Sequence, residues 1–153
     1  MNTDFRGRVY PVTRAYEVSR EKIREFAAAL GDDNPAYHDV AAARSLGHPD
    51  LVAPPTFLVT LTLMADDRAM SDPEFGLARA RLMHRDLNFT HLRPVHAGDA
   101  LTLAETITQV DDLGGHGVFA FRTEIRSTDD ELVCVATSSF VQRAETPVVA
   151  EVA

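Results

Sequence analysis

Hydrophobic spacing changes period about halfway along the chain. From Ser19 to Gly31 the apolar residues Ile23, Phe26, Ala27 and Leu30 recur at i, i+3, i+4 and i+7, one face of an α-helix. Ser19 offers an N-cap, and Glu21 places a negative charge in the first turn, where the helix dipole favours it. Gly31 stands where a C′ glycine ends a helix. Tyr10 to Val18, before it, reads as an extended lead-in. A second, short helix is predicted through Ala41 to Ala43, capped by Asp39 and ended by Gly47. Pro54 and Pro55 then force extended backbone, and Pro55 suits a first helical position. Phe57, Leu58, Val59, Leu61, Leu63 and Met64 cover nearly every face of the helix that follows, which predicts that it is enclosed. Its expected end is Asp66-Asp67, with a polar connector from Arg68 to Arg81.

Strand periodicity takes over after that. Leu82 to Leu92, Ala100 to Val110, Val118 to Thr128 and Leu132 to Gln142 are four apolar runs. Leu101, Leu103, Glu105 and Ile107 alternate with their neighbours, as do Phe119, Phe121, Thr123 and Ile125. Gly114-Gly115 and Asp129-Asp130 are turn signals, and Ala97-Gly98-Asp99 separates the first pair. Short turns predict antiparallel neighbours and hence a four-stranded meander. One enclosed helix before such a meander is an α+β pattern, satisfied by a curved antiparallel sheet wrapped around a long central helix, the hotdog fold. A ferredoxin-like layer would need a helix between the later strands, and none is visible. With no repeat or linker, 1–153 reads as a single domain, with an ordered core at about 8–143 and a frayed tail at 145–153.

Composition narrows the function. The 153 residues carry a net charge of −8, which makes the chain a poor nucleic-acid binder. The one cysteine, Cys134, sits in an apolar run and reads as a buried, inert thiol. The first 16 residues have neither an apolar core nor a cleavage pattern, and the stretch Phe57 to Ala65 is too short to span a bilayer, so a cytoplasmic protein away from membranes is expected. His48, His84, His91, His96 and His116 lack a tight ligand spacing, and no metal is expected. Ser138 and Ser139 lie in a strand without a nucleophile elbow.

The densest polar chemistry is Gly31-Asp32-Asp33-Asn34-Pro35-Ala36-Tyr37-His38-Asp39. Each residue has a local reason to sit in a loop. A carboxylate and an imidazole on one short loop can equally converge on one water or substrate proton, which is what general acid–base catalysis requires.

This loop, followed by an alanine-rich helix, resembles the signature of the MaoC-like (R)-specific hydratases and dehydratases. Arg93-Pro94-Val95-His96-Ala97-Gly98-Asp99-Ala100-Leu101 is similar to that family's strand-to-strand turn. Arg20 to Ala27 and Leu46 to Phe57 resemble its N-terminal dehydratase subgroup, which includes the A-type subunit of actinobacterial (3R)-hydroxyacyl-carrier-protein dehydratases. The resemblance implies a hotdog protein acting on 2-enoyl and (3R)-3-hydroxyacyl thioesters of coenzyme A or acyl carrier protein, without a cofactor. It assigns Asp32 and His38 as the catalytic pair, and Asn34 and Pro35 as loop-shaping residues. The family more often places His five residues after Asp. Here the gap is six, with Tyr37 inserted and Asp33 at the five-residue gap from His38, so either acid fits the catalytic carboxylate. Pro54-Pro55 replace the family's His-Gly, which leaves the amides of Thr56 and Phe57 as candidate donors to the thioester oxygen. Arg85 and Arg93 are candidates for a phosphate-binding rim, or are simply solvated.

Three functions follow from this resemblance. The chain is an active hydratase/dehydratase, or a non-catalytic substrate-binding subunit of a heterodimer whose MaoC-like partner carries the chemistry, or a hotdog acyl-thioester-binding protein or thioesterase. A homodimer or heterodimer is expected in each case.

Overall fold

The amphipathic run after Ser19 forms α1 (Arg20–Leu30) in the computed structural model, which describes residues 1–145. The tail expected to fray lies outside the described residues apart from Glu145. Ser19 Oγ accepts the Lys22 amide at 3.1 Å, and Gly31 ends the helix at φ 67°, a left-handed conformation open to glycine without strain. The lead-in contributes two short strands, β1 (Val9–Tyr10) and β2 (Tyr16–Glu17). Between the two expected helices lies an additional turn, α2 (Pro35–His38), which Pro35 starts and Asn34 caps through the Ala36 amide at 3.1 Å. Asp39 caps α3 (Val40–Ser45).

The central helix, α4 (Val59–Met70), departs from expectation at both ends. Pro55 does not begin it. The Phe57 amide bonds the Pro54 carbonyl at 2.8 Å and the Val59 amide bonds Thr56 at 3.0 Å, so residues 54–58 are spent on turns. Nor does Asp66 end it, because that side chain points into the interior and finds the Ser138 hydroxyl at 3.1 Å, leaving the backbone free to continue to Met70.

Four long strands follow: β3 (Leu82–His91), β4 (Ala100–Leu113), β5 (His116–Ser127) and β6 (Leu132–Gln142). The antiparallel sheet runs β1-β4-β5-β6-β3, with β2 also on β4. β4, β5 and β6 form the predicted meander. β3 does not join it beside β4, as expected from the Ala97-Gly98-Asp99 signal, but pairs with β6 at the opposite edge. The intervening segment is a crossover held by its own partners. The Ala53 amide bonds Val95 at 2.8 Å and the Ala97 amide bonds Leu51 at 2.9 Å, while the place beside β4 that β3 was expected to fill is taken by β1 and β2.

The sheet's concave face encloses α4 between two apolar clusters. One holds Phe57, Leu58, Leu61, Leu101 and Ile125, and the other Phe75, Ile107, Phe119, Phe121 and Phe140. Cys134 is buried in the first, and burial pushes its thiol up to about 11.

Candidate functional site

A cavity of about 470 Å³ opens where the loop after α1, the Pro54–Leu58 turns, the end of β3 and the crossover meet. That volume is within the range of about 300–1,000 Å³ common for ligand sites. Ala36, Val52, Ala53, Phe57, Leu58 and Leu92 supply apolar walls. Asn34, Tyr37, His48, His91 and Arg93 supply the polar groups, and among the described residues no carboxylate lines it.

The loop places its residues unequally. Asp32 and His38 are six positions apart, yet their side chains do not engage each other. Asp32 Oδ1 accepts the Asn34 amide at 3.1 Å, an Asx turn, while His38 Nε2 donates to the main-chain carbonyl of Asp32 at 2.9 Å. Neither side chain lines the cavity. Asp33 is exposed beside them. Tyr37 is only 9% exposed and lines the cavity, and Asn34 joins it while its oxygen caps α2. Arg24 donates to the His38 carbonyl at 3.0 Å, tying the loop to α1.

The two amide candidates at the central helix also part. The Phe57 amide is consumed by the Pro54 carbonyl, whereas the Thr56 amide has no partner among the described backbone bonds. Phe57 meets the cavity through its buried ring, and Thr56 is exposed outside it.

Arg93 lines the cavity, but its charge is already matched. It grips Asp99 with two nitrogens at 2.8 and 3.0 Å and Glu131 at 3.0 Å, and the Asp99 pairing raises its pKa further. Arg85 is on the exposed side of β3, 3.7 Å from Asp86, away from the cavity. The crossover instead brings in histidines. His91 Nε2 donates to the Pro55 carbonyl at 2.8 Å, and His48 Nδ1 lies 3.0 Å from His96 Nε2, so one of that pair donates to the other. Burial lowers the His96 pKa. His48 and His91 were not predicted at the site, because only the pairing of residues 51–53 with 95–97 brings their segments together.

A second polar feature lies deep under α4. Asp66 and Glu105 are both fully buried, and neither Glu105 oxygen nor Asp66 Oδ1 has a hydrogen-bond donor. Desolvation and the neighbouring Asp66 raise the Glu105 pKa to about 9, so Glu105 keeps its proton at neutral pH and can donate it to Asp66. Glu105 occupies an inward position in the alternation of β4, a signal visible in the sequence.

A strongly curved antiparallel sheet closed around a buried helix, with a cavity beside the helix N-terminus, defines a hotdog protein. The chain belongs to the FAS1-like dehydratase domain region family, which it matches over residues 4–136. It is 47% identical to a UPF0336 protein of Streptomyces griseus over 144 residues, covering 94% of this chain and 96% of that relative. Among solved structures it is similar to a chain of the HadBC (3R-hydroxyacyl-ACP dehydratase) complex from Mycobacterium tuberculosis, with a TM-score of 0.80 and 32% identity over 92% of this chain and 99% of that one. It also superposes on a MaoC-like dehydratase with a TM-score of 0.83 and 27% identity, covering 92% of this chain and 42% of the other. These structures carry the expected resemblance to MaoC-like dehydratases. Among the described residues no helix is long and apolar enough to cross a membrane.

Proposed function

We propose that this chain is the substrate-holding subunit of a heteromeric (3R)-hydroxyacyl-thioester dehydratase, paired with a MaoC-like subunit that supplies the acid and base. One observation carries the reading: Tyr37 lines the cavity, while the Asp32 carboxylate and the His38 imidazole are bonded within their own loop. Dehydration removes a proton from C2 and the hydroxyl from C3 of the thioester, and hydration reverses both steps. A base and an acid must therefore stand at the acyl group. This cavity offers instead apolar walls for an acyl chain and a few polar groups to orient a carbonyl or hydroxyl: the Tyr37 hydroxyl, the Asn34 amide and the His48 imidazole, with His91, whose Nε2 proton is given to Pro55, as an acceptor. Asp32, Asp33, Asn34, Pro35 and His38 then act by shaping the loop that aims Tyr37. Similarity to a chain of a dehydratase complex supports both the substrate class and the partner.

The test is hydration of crotonyl-CoA, followed by loss of enoyl absorbance. The chain alone is expected to give no turnover. Turnover appears on adding a MaoC-like partner and survives Asp32→Asn and His38→Gln in this chain. Turnover by the chain alone that disappears in Asp32→Asn, Asp33→Asn or His38→Gln overturns the proposal and makes the loop an active site. Release of free thiol overturns it in favour of a thioesterase.

A further inference from the structure

A second cavity, of about 310 Å³, lies on the other side of α4 between that helix and the lead-in strand segment. Its floor is apolar: Leu61, Ala65 and Leu103 are almost fully buried, and Tyr16 is half-buried beside them. Met64, 69% exposed, forms a flexible wall. Two guanidinium groups, Arg14 and Arg68, stand with it.

Their charge sets this cavity apart. The chain is acidic overall, and most of its arginines face a carboxylate within 4 Å, including Arg6, Arg8, Arg20, Arg24, Arg79, Arg93, Arg122 and Arg126. Arg14 and Arg68 have no carboxylate partner among the described residues. Arg14 is exposed. Arg68 donates to the Pro11 carbonyl at 2.7 Å and stands 5.7 Å from the Tyr10 ring, which positions its charge without neutralising it. Among the described residues no acid lines the cavity. Glu105, close enough to feel the Arg68 charge, keeps its proton and leaves that charge unanswered.

We propose that this cavity is a binding site for a small amphipathic anion, a short alkyl chain ending in a carboxylate or phosphate, separate from the acyl-thioester cavity. The alkyl chain lies on Leu61, Ala65 and Leu103 under Met64, and the anionic head bridges Arg14 and Arg68. Guanidinium forks match the oxygens of either head group. The site goes beyond the dehydratase reading and does not depend on it.

Isothermal titration calorimetry on the full chain tests this with octanoate, octyl phosphate and the uncharged octan-1-ol. At least one anion is expected to bind saturably at about one site, roughly tenfold or more tighter than octan-1-ol, corresponding to about 1.4 kcal/mol of head-group discrimination. The tighter anion assigns the head group. Arg14→Ala, at an exposed side chain whose loss should leave folding intact, and Arg68→Ala should each weaken the anion and leave octan-1-ol unchanged, with Arg68→Lys recovering part of the loss. The proposal is overturned if neither anion binds saturably, if octan-1-ol binds as tightly as both anions, or if Arg14→Ala binds the anion like the parent chain.

Discussion

Glu105→Gln is the most direct probe of the buried acid pair. Glutamine keeps the shape of a protonated glutamate and can still donate to Asp66, but it cannot titrate. In the unfolded chain Glu105 ionises in the ordinary glutamate range near pH 4, whereas in the folded protein it holds its proton to about 9. The folded state therefore binds more protons than the unfolded state throughout that interval. Stability is full below the unfolded pKa and falls as pH rises toward the folded one. One retained proton sets the slope at about 1.4 kcal/mol per pH unit, or about 2.7 kcal/mol between pH 6 and 8. At about 2–4 °C per kcal/mol for a chain of this size, the parent protein should lose roughly 5–10 °C of melting temperature over those two units relative to Glu105→Gln. Thermal melts of both proteins from pH 5.5 to 8.5 measure it. The comparison cancels groups that do not interact with Glu105, among them His96, whose lowered pKa works in the opposite direction, whereas Asp66 titrates with Glu105 and belongs to the measured difference. Parallel curves would refute the reasoning, because they would mean that Glu105 is already ionised or already solvated in the folded protein.

Tyr37→Phe should leave the fold intact and weaken binding of a 3-hydroxyacyl thioester by about 1 kcal/mol, the loss of one hydrogen bond, measured by titration of the chain with its partner present. Gly31→Ala forces a side chain into the left-handed conformation at φ 67°, and urea unfolding should show a loss of about 1–2 kcal/mol. Arg93→Ala strips Asp99 and Glu131 of their shared cation while Asp99 still accepts the His96 amide, and should destabilise the chain by about 1–3 kcal/mol, again by urea. Removing Arg85, whose side chain is 62% exposed and forms a long, 3.7 Å ion pair with Asp86, should change neither binding nor stability measurably.

Local periodicity carried much of the fold. The α1 face, its serine cap and its glycine stop follow from spacing alone, because a helix that presents one face to a core repeats every 3.6 residues. The β4–β6 meander follows in the same way from alternation and Gly-Gly and Asp-Asp turns. What the sequence hid is long-range. β3 pairs with β6 while β1 and β2 take the edge of β4, and no periodicity encodes which segment pairs with which. The central helix passed Asp66 for a related reason: an acid stops a helix only when nothing inside receives it, and Ser138 and Glu105 lie far away in sequence. At the loop, spacing brought Asp32 and His38 close along the chain, but main-chain groups competed for both side chains, and Tyr37 took the cavity.

The placement of β3 also governs how the chain is made. Leu82 is matched with Gln142 and His91 with Cys134, so on the ribosome β3 emerges well before its sheet partner exists. Until β6 is synthesised, Leu87 and Phe89 have no sheet neighbour, and this edge is open to the wrong partner. Closure of the barrel-like wrap accordingly waits for β6, and a chain cut before Leu132 should aggregate rather than persist as a smaller folded protein.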